Sequence, residues 1–259
     1  MDSIVPENPA ASAPELATRP QPRVWKFWGT LLWGLLVTAA MFAAQIAVVI
    51  AFAMLRQGRL DFAALVQAAS GSLTISLSVI MGLPAVLLTL WIAIRRCGTP
   101  YTEYLALRRT SLRDILIGVG GMLVVVLGWT LLSRITGREA SSDVMGEVLQ
   151  SARSSGALWL MSLAFCVAAP ATEELLVRGF LYRGWSETRL GPWGAITLSS
   201  LLWTGLHLQY GWFLLGEVFC IGLWLGYMRY RSASIWLTIL LHGLNNSAAM
   251  VATIWLGQG

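Results

Sequence analysis

The chain has few charged residues, few cysteines and a single lysine. Charged residues make up only 12% of its 259 residues, against about 25% in typical soluble domains. Apolar residues make up 56%, and the mean hydropathy is +0.67, which excludes a soluble globular domain and a disordered chain. Three cysteines in apolar surroundings are too few for a disulfide framework. The composition therefore predicts an integral, multi-pass membrane protein.

The excess of basic residues, 18 against 13 acidic ones, does not indicate a nucleic-acid partner. These residues lie between apolar runs, where positive charges set the orientation of membrane spans. With the N-terminus in the cytoplasm, twelve of them fall on the inner side of the predicted spans and five on the outer side. Arginine accounts for 17 of the 18, a bias typical of GC-rich bacterial genomes. We therefore expect the bacterial inner membrane, a cytoplasmic N-terminus and no nucleic-acid partner.

A proline-rich start and long apolar runs divide the chain into three parts. Residues 1–24 hold five of the nine prolines and are predicted to be a disordered tail. Residues 25–154 are predicted to hold the first membrane helices and their connectors. Residues 155–259 are predicted to hold the helices that carry the candidate site, within the same membrane domain.

The apolar runs predict an all-α fold, a polytopic transmembrane helical bundle of about seven spans within a range of six to eight. The predicted spans are 27–55, 72–94, 115–133, 154–172 and three more between residue 190 and the C-terminus. Two connectors, 61–71 and 139–153, are long enough to form short surface helices. The thirteen tryptophans are interpreted as anchors at the membrane interfaces.

Five ionisable side chains lie inside the apolar runs, where an unpaired charge costs several kcal/mol. They include both histidines of the chain: Glu173, Glu174, His207, Glu217 and His242. Glu174 and Arg178 are four residues apart and share a helix face, so they can form an ion pair, whereas Glu173 points about 100° away. Glu217 is either a further cavity carboxylate or a protonated group bonded to a neighbouring helix.

Two more pairs lie at the spacing of one helical turn, Trp203 with His207 and His242 with Asn246. Counting about 1.5 Å per residue from the span ends places Glu173, His207 and His242 at similar depths. A carboxylate, two imidazoles and an amide can polarise a water molecule and stabilise the oxyanion of peptide hydrolysis. Alternatively, Glu173, His207 and His242 could bind a divalent metal such as zinc with an open position. The sequence leaves both possibilities open.

These residues form three motifs that resemble those of the CAAX protease and bacteriocin-processing family, also called the Abi family. The family motifs are E-E-x-x-x-R, F-x-x-x-H and H-x-x-x-N on successive helices. In this chain they run from Glu173 to Arg178, from Trp203 to His207 and from His242 to Asn246, and the similarity covers about residues 155–250. Trp203 stands where phenylalanine is commoner.

The resemblance implies an intramembrane endopeptidase, similar to type II CAAX prenyl proteases, that acts in the lipid bilayer on a membrane-anchored peptide or protein. It implies these roles: general base for Glu173, water activation for His207, oxyanion stabilisation for His242 and Asn246, and a supporting ion pair for Glu174 and Arg178. Two alternatives from other classes stay open. One is a non-catalytic membrane protein of the same fold that serves immunity or partner binding; the other is a transporter with intramembrane carboxylates.

Overall fold

The computed structural model describes residues 23–138 and 143–256, and within these residues it contains helices and no strand. The predicted all-α fold is confirmed. Residues 1–22 of the predicted tail and residues 139–142 of the second connector lie outside the described residues. The helices are α1 (Phe27–Gln57), α2 (Phe62–Ala69), α3 (Ser72–Cys97), α4 (Tyr101–Tyr104), α5 (Leu112–Thr136), α6 (Asp143–Ser154), α7 (Leu158–Ser186), α8 (Gly191–Gly205), α9 (Trp212–Ser232) and α10 (Ile235–Leu256).

Six of the described helices are long and apolar enough to cross a membrane, namely α1, α3, α5, α7, α9 and α10. This number lies within the predicted range of six to eight spans. The remaining predicted span corresponds to α8, which has only 15 residues. At about 1.5 Å per residue it is roughly 22 Å long, short of the roughly 30 Å of a hydrocarbon core. The chain therefore turns after α8 before α9 begins.

The two connectors form short helices, as the sequence predicts. Helix α2 begins after Asp61, whose side chain accepts a hydrogen bond from the Ala64 backbone N–H at 2.8 Å, so the first turn has a conventional N-cap. Helix α6 covers most of the second connector. Helices α1 and α3 end at Gly58 and Gly98, whose φ angles of 66° and 80° suit glycine at a helix C-terminus.

Helix α7 lies in the interior of the bundle, packed against α1, α3, α8, α9 and α10. Close approach depends on glycines: a Cβ on Gly184 of α7 would come within 2.0 Å of Thr30 in α1. On α9, a Cβ on Gly222 would meet Ser200 at 3.0 Å and one on Gly226 would meet Ile196 at 2.8 Å. The Gly222 and Gly226 pair, one helical turn apart, therefore allows α9 to pack closely against α8.

One end of the bundle collects most of the arginines near helix termini, and we call it the arginine-rich face. It comprises the starts of α1, α5, α8 and α10 and the ends of α3, α7 and α9. The side-chain contacts that hold these termini together are Trp25 Nε1 to the Ala93 carbonyl at 3.0 Å, Trp185 Nε1 to the Phe27 carbonyl at 3.2 Å, and Arg231 Nε to Asp114 at 3.0 Å. The prediction that this face is cytoplasmic follows from its charge.

Candidate active site

Helix α7 carries the paired glutamates between two π-helical turns. The turns span Ala164–Ala168 and Leu175–Leu181, and such turns leave some backbone groups without helical partners. Pro170 adds to this effect because it has no N–H group. In the π-helical register the carbonyl of Phe165 would pair with residue 170, so proline leaves that carbonyl without a donor from its own helix.

The predicted pair of Glu174 and Arg178 is formed in the centre of the bundle. Arg178 Nη1 donates to Glu174 Oε1 at 2.8 Å, and both side chains have 0% exposure. Arg178 Nη2 donates to the carbonyl of Gly222 in α9 at 3.0 Å. The arginine therefore joins α7 to α9, and the close approach at Gly222 brings that carbonyl within reach.

His242 of α10 contacts the same carboxylate. Its Nδ1 lies 3.1 Å from Glu174 Oε1, and the residue is 3% exposed. A carboxylate paired with Arg178 only accepts hydrogen bonds, so Nδ1 carries the proton, and a neutral ring then has its lone pair on Nε2. Glu174 thus fixes the orientation of this imidazole as well as that of the arginine.

Trp203 of α8 lies at the centre of the cluster. Its indole Nε1 donates to Glu173 Oε2 at 2.5 Å. The indole ring has edge contacts with both imidazoles, with centroid distances of 5.0 Å to His207 and 5.3 Å to His242. Arg178 Cζ lies 4.6 Å from the centroid of the Trp203 ring, which makes a cation–π contact. Trp203 is 3% exposed, so the interpretation of all tryptophans as interfacial anchors is wrong for this residue.

His207 follows the end of α8, and its Nδ1 lies 2.9 Å from the carbonyl of Trp203. A carbonyl only accepts, so Nδ1 is the protonated nitrogen, and a neutral ring has its lone pair on Nε2. In the turn after α8, the Tyr210 ring lies 5.8 Å from His207. Burial raises the pKa of the Tyr210 phenol above its ordinary value, and the negative charge of Glu173 raises it further.

Asn246 lies one turn beyond His242 on α10 and reaches a different partner. Its Nδ2 donates to the carbonyl of Phe165 at 2.9 Å, which is the carbonyl that Pro170 leaves without a helical donor. Beside it, a Cβ on Gly243 would come within 2.7 Å of the Cys166 carbonyl, so glycine allows α10 to approach α7. One N–H of the Asn246 amide is therefore used to hold the two helices together.

The predicted metal ligands do not form a metal site in this arrangement. Within residues 23–138 and 143–256, no group of three or more His, Cys, Asp or Glu side chains is placed to hold a metal ion. The Trp203 indole contacts Glu173 and both imidazoles, and its N–H occupies one carboxylate oxygen of Glu173. A zinc ion bound by Glu173, His207 and His242 does not fit this geometry.

Of the five intramembrane ionisable residues, Glu217 stays apart from the others. It is half-buried on α9, and in the described part of the chain its carboxylate has neither an ion pair nor a hydrogen bond. The hydrogen bond to a neighbouring helix that the sequence allows is not formed. The structure brings Glu173, Glu174, His207 and His242 together around Trp203 and leaves Glu217 outside this cluster.

Sequence reasoning missed two groups at the site. The first is the Trp203 indole N–H; the one-turn spacing from His207 indicated packing beside the imidazole but not a bond to Glu173. The second is Tyr210, which the three motifs do not include. The signal that could have found it is its position three residues after His207, in a segment that follows the candidate site directly.

Residues 155–248 match the model of the family described as Rce1-like, type II CAAX prenyl endopeptidase. All three motifs lie in this segment, and the predicted resemblance is confirmed over it. None of the curated proteins and none of the solved structures matches the chain. The match and the six apolar helices together support an integral, multi-pass membrane protein and, at the level of the family, a membrane-embedded protease.

Proposed function

We propose that this chain, which matches the Rce1-like family over residues 155–248, is an intramembrane endopeptidase that hydrolyses a peptide bond of a membrane-associated substrate. The observation that carries the proposal is the contact of one buried indole with Glu173, Arg178, His207 and His242. Desolvating a carboxylate, a guanidinium and two imidazoles is costly. A set of groups gathered at such cost supports chemistry at this point.

In the proposed mechanism Glu173 is the general base. Trp203 holds Glu173 Oε2 at 2.5 Å, which leaves Oε1 to accept a proton from the attacking water. The His207 lone pair on Nε2 accepts the second hydrogen bond of that water and so orients its oxygen. Attack on the substrate carbonyl gives a tetrahedral oxyanion. Glu173 then returns its proton to the leaving amine as the carbon–nitrogen bond breaks.

The oxyanion needs hydrogen-bond donors, and three side chains can supply them. His242 is oriented by Glu174, and its ring donates through Nε2 once that nitrogen also carries a proton. Asn246 has one amide N–H that is not engaged with Phe165. The Tyr210 hydroxyl is a further donor, since its raised pKa keeps it protonated. Arg178 supports the site by balancing the charge of Glu174.

The geometry supports catalysis by these side chains over the alternatives. A binding protein has no need to align Glu173 with a donor and two imidazoles. A transporter of the repeat type is expected to carry paired broken helices, whereas in the described part of the chain the π-helical turns both lie in α7. The mechanism uses no metal, so we expect turnover to persist after dialysis against EDTA. Turnover lost to EDTA and restored by zinc would instead support metal dependence.

The direct test is Glu173→Gln in the full-length protein reconstituted into liposomes. The substrate is a fluorogenic peptide anchored to the membrane by a prenyl chain. Because a positioned general base contributes about 10²–10⁴-fold, we expect kcat/KM to fall by that order. Glu217→Gln is the matched control, since it removes an intramembrane carboxylate outside the cluster and should keep turnover. Unchanged turnover in the Glu173 variant would reject Glu173 as the base.

A further inference from the structure

Arg229, near the end of α9 on the arginine-rich face, is buried without an anionic partner. The residue is 5% exposed, and its guanidinium lies over the Tyr182 ring, with Cζ 5.5 Å from the centroid. In residues 23–138 and 143–256 the guanidinium has no hydrogen bond and no ion pair, and its Nε is fully buried without a partner. A buried charge in this state is costly, and an orphaned buried donor needs an explanation.

The charged neighbours of Arg229 are also cations. Its electrostatic neighbours are the Tyr182 phenol and the guanidinium groups of Arg183 and Arg108. Arg183 Nε is buried without a partner as well, while its Nη2 pairs with Glu187 at 2.7 Å. The Glu187 carboxylate is therefore already engaged with Arg183, and among the described residues no carboxylate pairs with Arg229.

Two hydrogen bonds fasten the segment of Arg108 to the end of the helix that carries Arg229. The α9–α10 turn passes through Ala233, which has a φ of 51°. After this turn the Ile235 N–H donates to the Ala106 carbonyl at 3.0 Å, and Ser234 Oγ donates to the Arg108 carbonyl at 2.5 Å. The segment that carries Arg108 is thus fastened to the end of the helix that carries Arg229. Arg108 and the end of α9 are therefore held together by contacts that do not involve the guanidinium groups of Arg108 and Arg229.

We infer that Arg229, Arg183 and Arg108 form a binding site for a phosphate group at this edge of the membrane. Guanidinium groups offer several N–H donors in a planar arrangement that matches phosphate oxygens. Arg229 lies three residues before the end of α9 at Ser232, which is the depth of lipid headgroups for a spanning helix. The phosphate can belong to an anionic phospholipid or be free in solution. This site is separate from the candidate active site and does not depend on its chemistry.

The test measures lipid and phosphate binding to the delipidated full-length protein in detergent. Native mass spectrometry measures the binding of dioleoyl phosphatidylglycerol and of dioleoyl phosphatidylcholine as each lipid is titrated. Thermal unfolding measures the stability of the protein in inorganic phosphate and in chloride at equal ionic strength. Because a charge-assisted hydrogen bond is lost, we expect Arg229→Gln to bind the phosphate ligand about tenfold more weakly. Arg109→Gln removes the same charge from an exposed position beside Arg108 and should bind as the parent does.

The arms of the experiment distinguish the two sources of phosphate. Selective binding of phosphatidylglycerol without a response to inorganic phosphate assigns a lipid headgroup, and stabilisation by inorganic phosphate assigns a free anion. If Arg229→Gln does not fold, Arg183→Gln is the second variant and should weaken the same ligand. Equal binding of both lipids with no response to phosphate would overturn the site, and so would an equal loss in Arg109→Gln.

Discussion

The first three spans are more apolar than the last three, with mean hydropathies of 2.3–2.4 against 1.2–1.5, and the two sets also differ in how many of their residues are buried inside the protein. Within the most apolar 18-residue stretch of each helix, 11% of the residues in α1 and in α5 and 28% of those in α3 are buried inside the protein. The corresponding fractions are 50% in α7, 39% in α9 and 33% in α10. Lipid solvates the apolar side chains of the first set, so burial is not required there. The second set is buried because polar groups must find partners away from lipid.

The hydrogen bonds of the two sets differ in the same way. In the first set, Thr38, Thr89 and Thr130 each donate to the carbonyl one turn back in their own helix, at 2.8–2.9 Å. In the second set and in α8, which packs against it, several polar side chains instead link different helices, from α7 to α9, from α10 to α7 and from α8 to α7. We conclude that these threonines of the first set satisfy their hydrogen bonds within their own helices, whereas the polar residues of the second set form the candidate site together with α8.

The largest expected difference between the two sets is the loss of folding stability when one polar side chain is replaced in each. Arg178→Met leaves Glu174 as a buried, uncompensated charge, which typically costs about 3–5 kcal/mol. Thr89→Val removes a bond within one helix and should change the free energy of unfolding by less than about 0.5 kcal/mol. Both are measured by SDS-induced unfolding in mixed micelles, followed by circular dichroism.

A double variant separates the charge from the packing in this prediction. Replacing both partners, as Glu174→Leu with Arg178→Met, removes the buried charge and should recover much of the lost stability. Equal destabilisation in the single and double variants would mean that the loss comes from packing alone. Equal effects of Arg178→Met and Thr89→Val would remove the contrast between the two sets.

The activity of the protein should depend on the hydrogen bond that positions Glu173. Trp203→Phe keeps the ring contacts with the two histidines but loses the N–H that donates to Glu173. Because one charge-assisted hydrogen bond is lost, we expect kcat to fall about tenfold with little change in KM. Trp193→Phe, at the exposed start of α8, is the matched control. A parallel rise in KM, or an equal loss in the control, would argue against a positioning role.

The sequence predicts the spans and the meeting of the histidines well because both depend on regular helix geometry. Charge-free runs locate α1, α3, α5 and α7, and the one-turn spacing of Glu174 with Arg178 predicts their ion pair. It predicts α8 poorly, because hydropathy stays high through Leu206 and Leu208 although the helix ends at Gly205. By composition alone, an apolar turn that directly follows a helix resembles a continuation of that helix.

The contacts within the candidate site cannot be predicted from the sequence, because they depend on how the helices pack. The direction of the Trp203 N–H depends on how close α8 lies to α7, which Gly222 on a third helix helps to set. The partner of Asn246 depends on a π-helical turn and on Pro170, so neither residue predicts it alone. Arg229 resembles any arginine at a span end until its surroundings prove to be cationic.

A smaller effect should come from the joint between α10 and α7. Asn246→Ala leaves the Phe165 carbonyl without a donor, which we expect to cost about 1 kcal/mol of stability. Pro170→Ala supplies a backbone N–H near that carbonyl, so the asparagine change should cost less in the Pro170→Ala background. A double-variant cycle from unfolding measurements checks this coupling. Additive effects would mean that Asn246 does not compensate for the proline.

The smallest expected effect concerns Tyr210, which lies in the turn between α8 and α9 and tests whether the site extends beyond the helices of the second set. Tyr210→Phe removes one neutral donor, so kcat/KM should fall by about threefold. Because the pKa of this phenol is raised above its ordinary value of about 10, the donating form predominates at every pH up to about 9. The ratio of parent to variant activity should therefore be constant from about pH 6 to pH 9. Tyr230→Phe, exposed on the arginine-rich face, is the control. A ratio that declines towards one between about pH 7 and pH 9 would mean that the phenol ionises in this range, and Tyr210 would then not be the donor proposed.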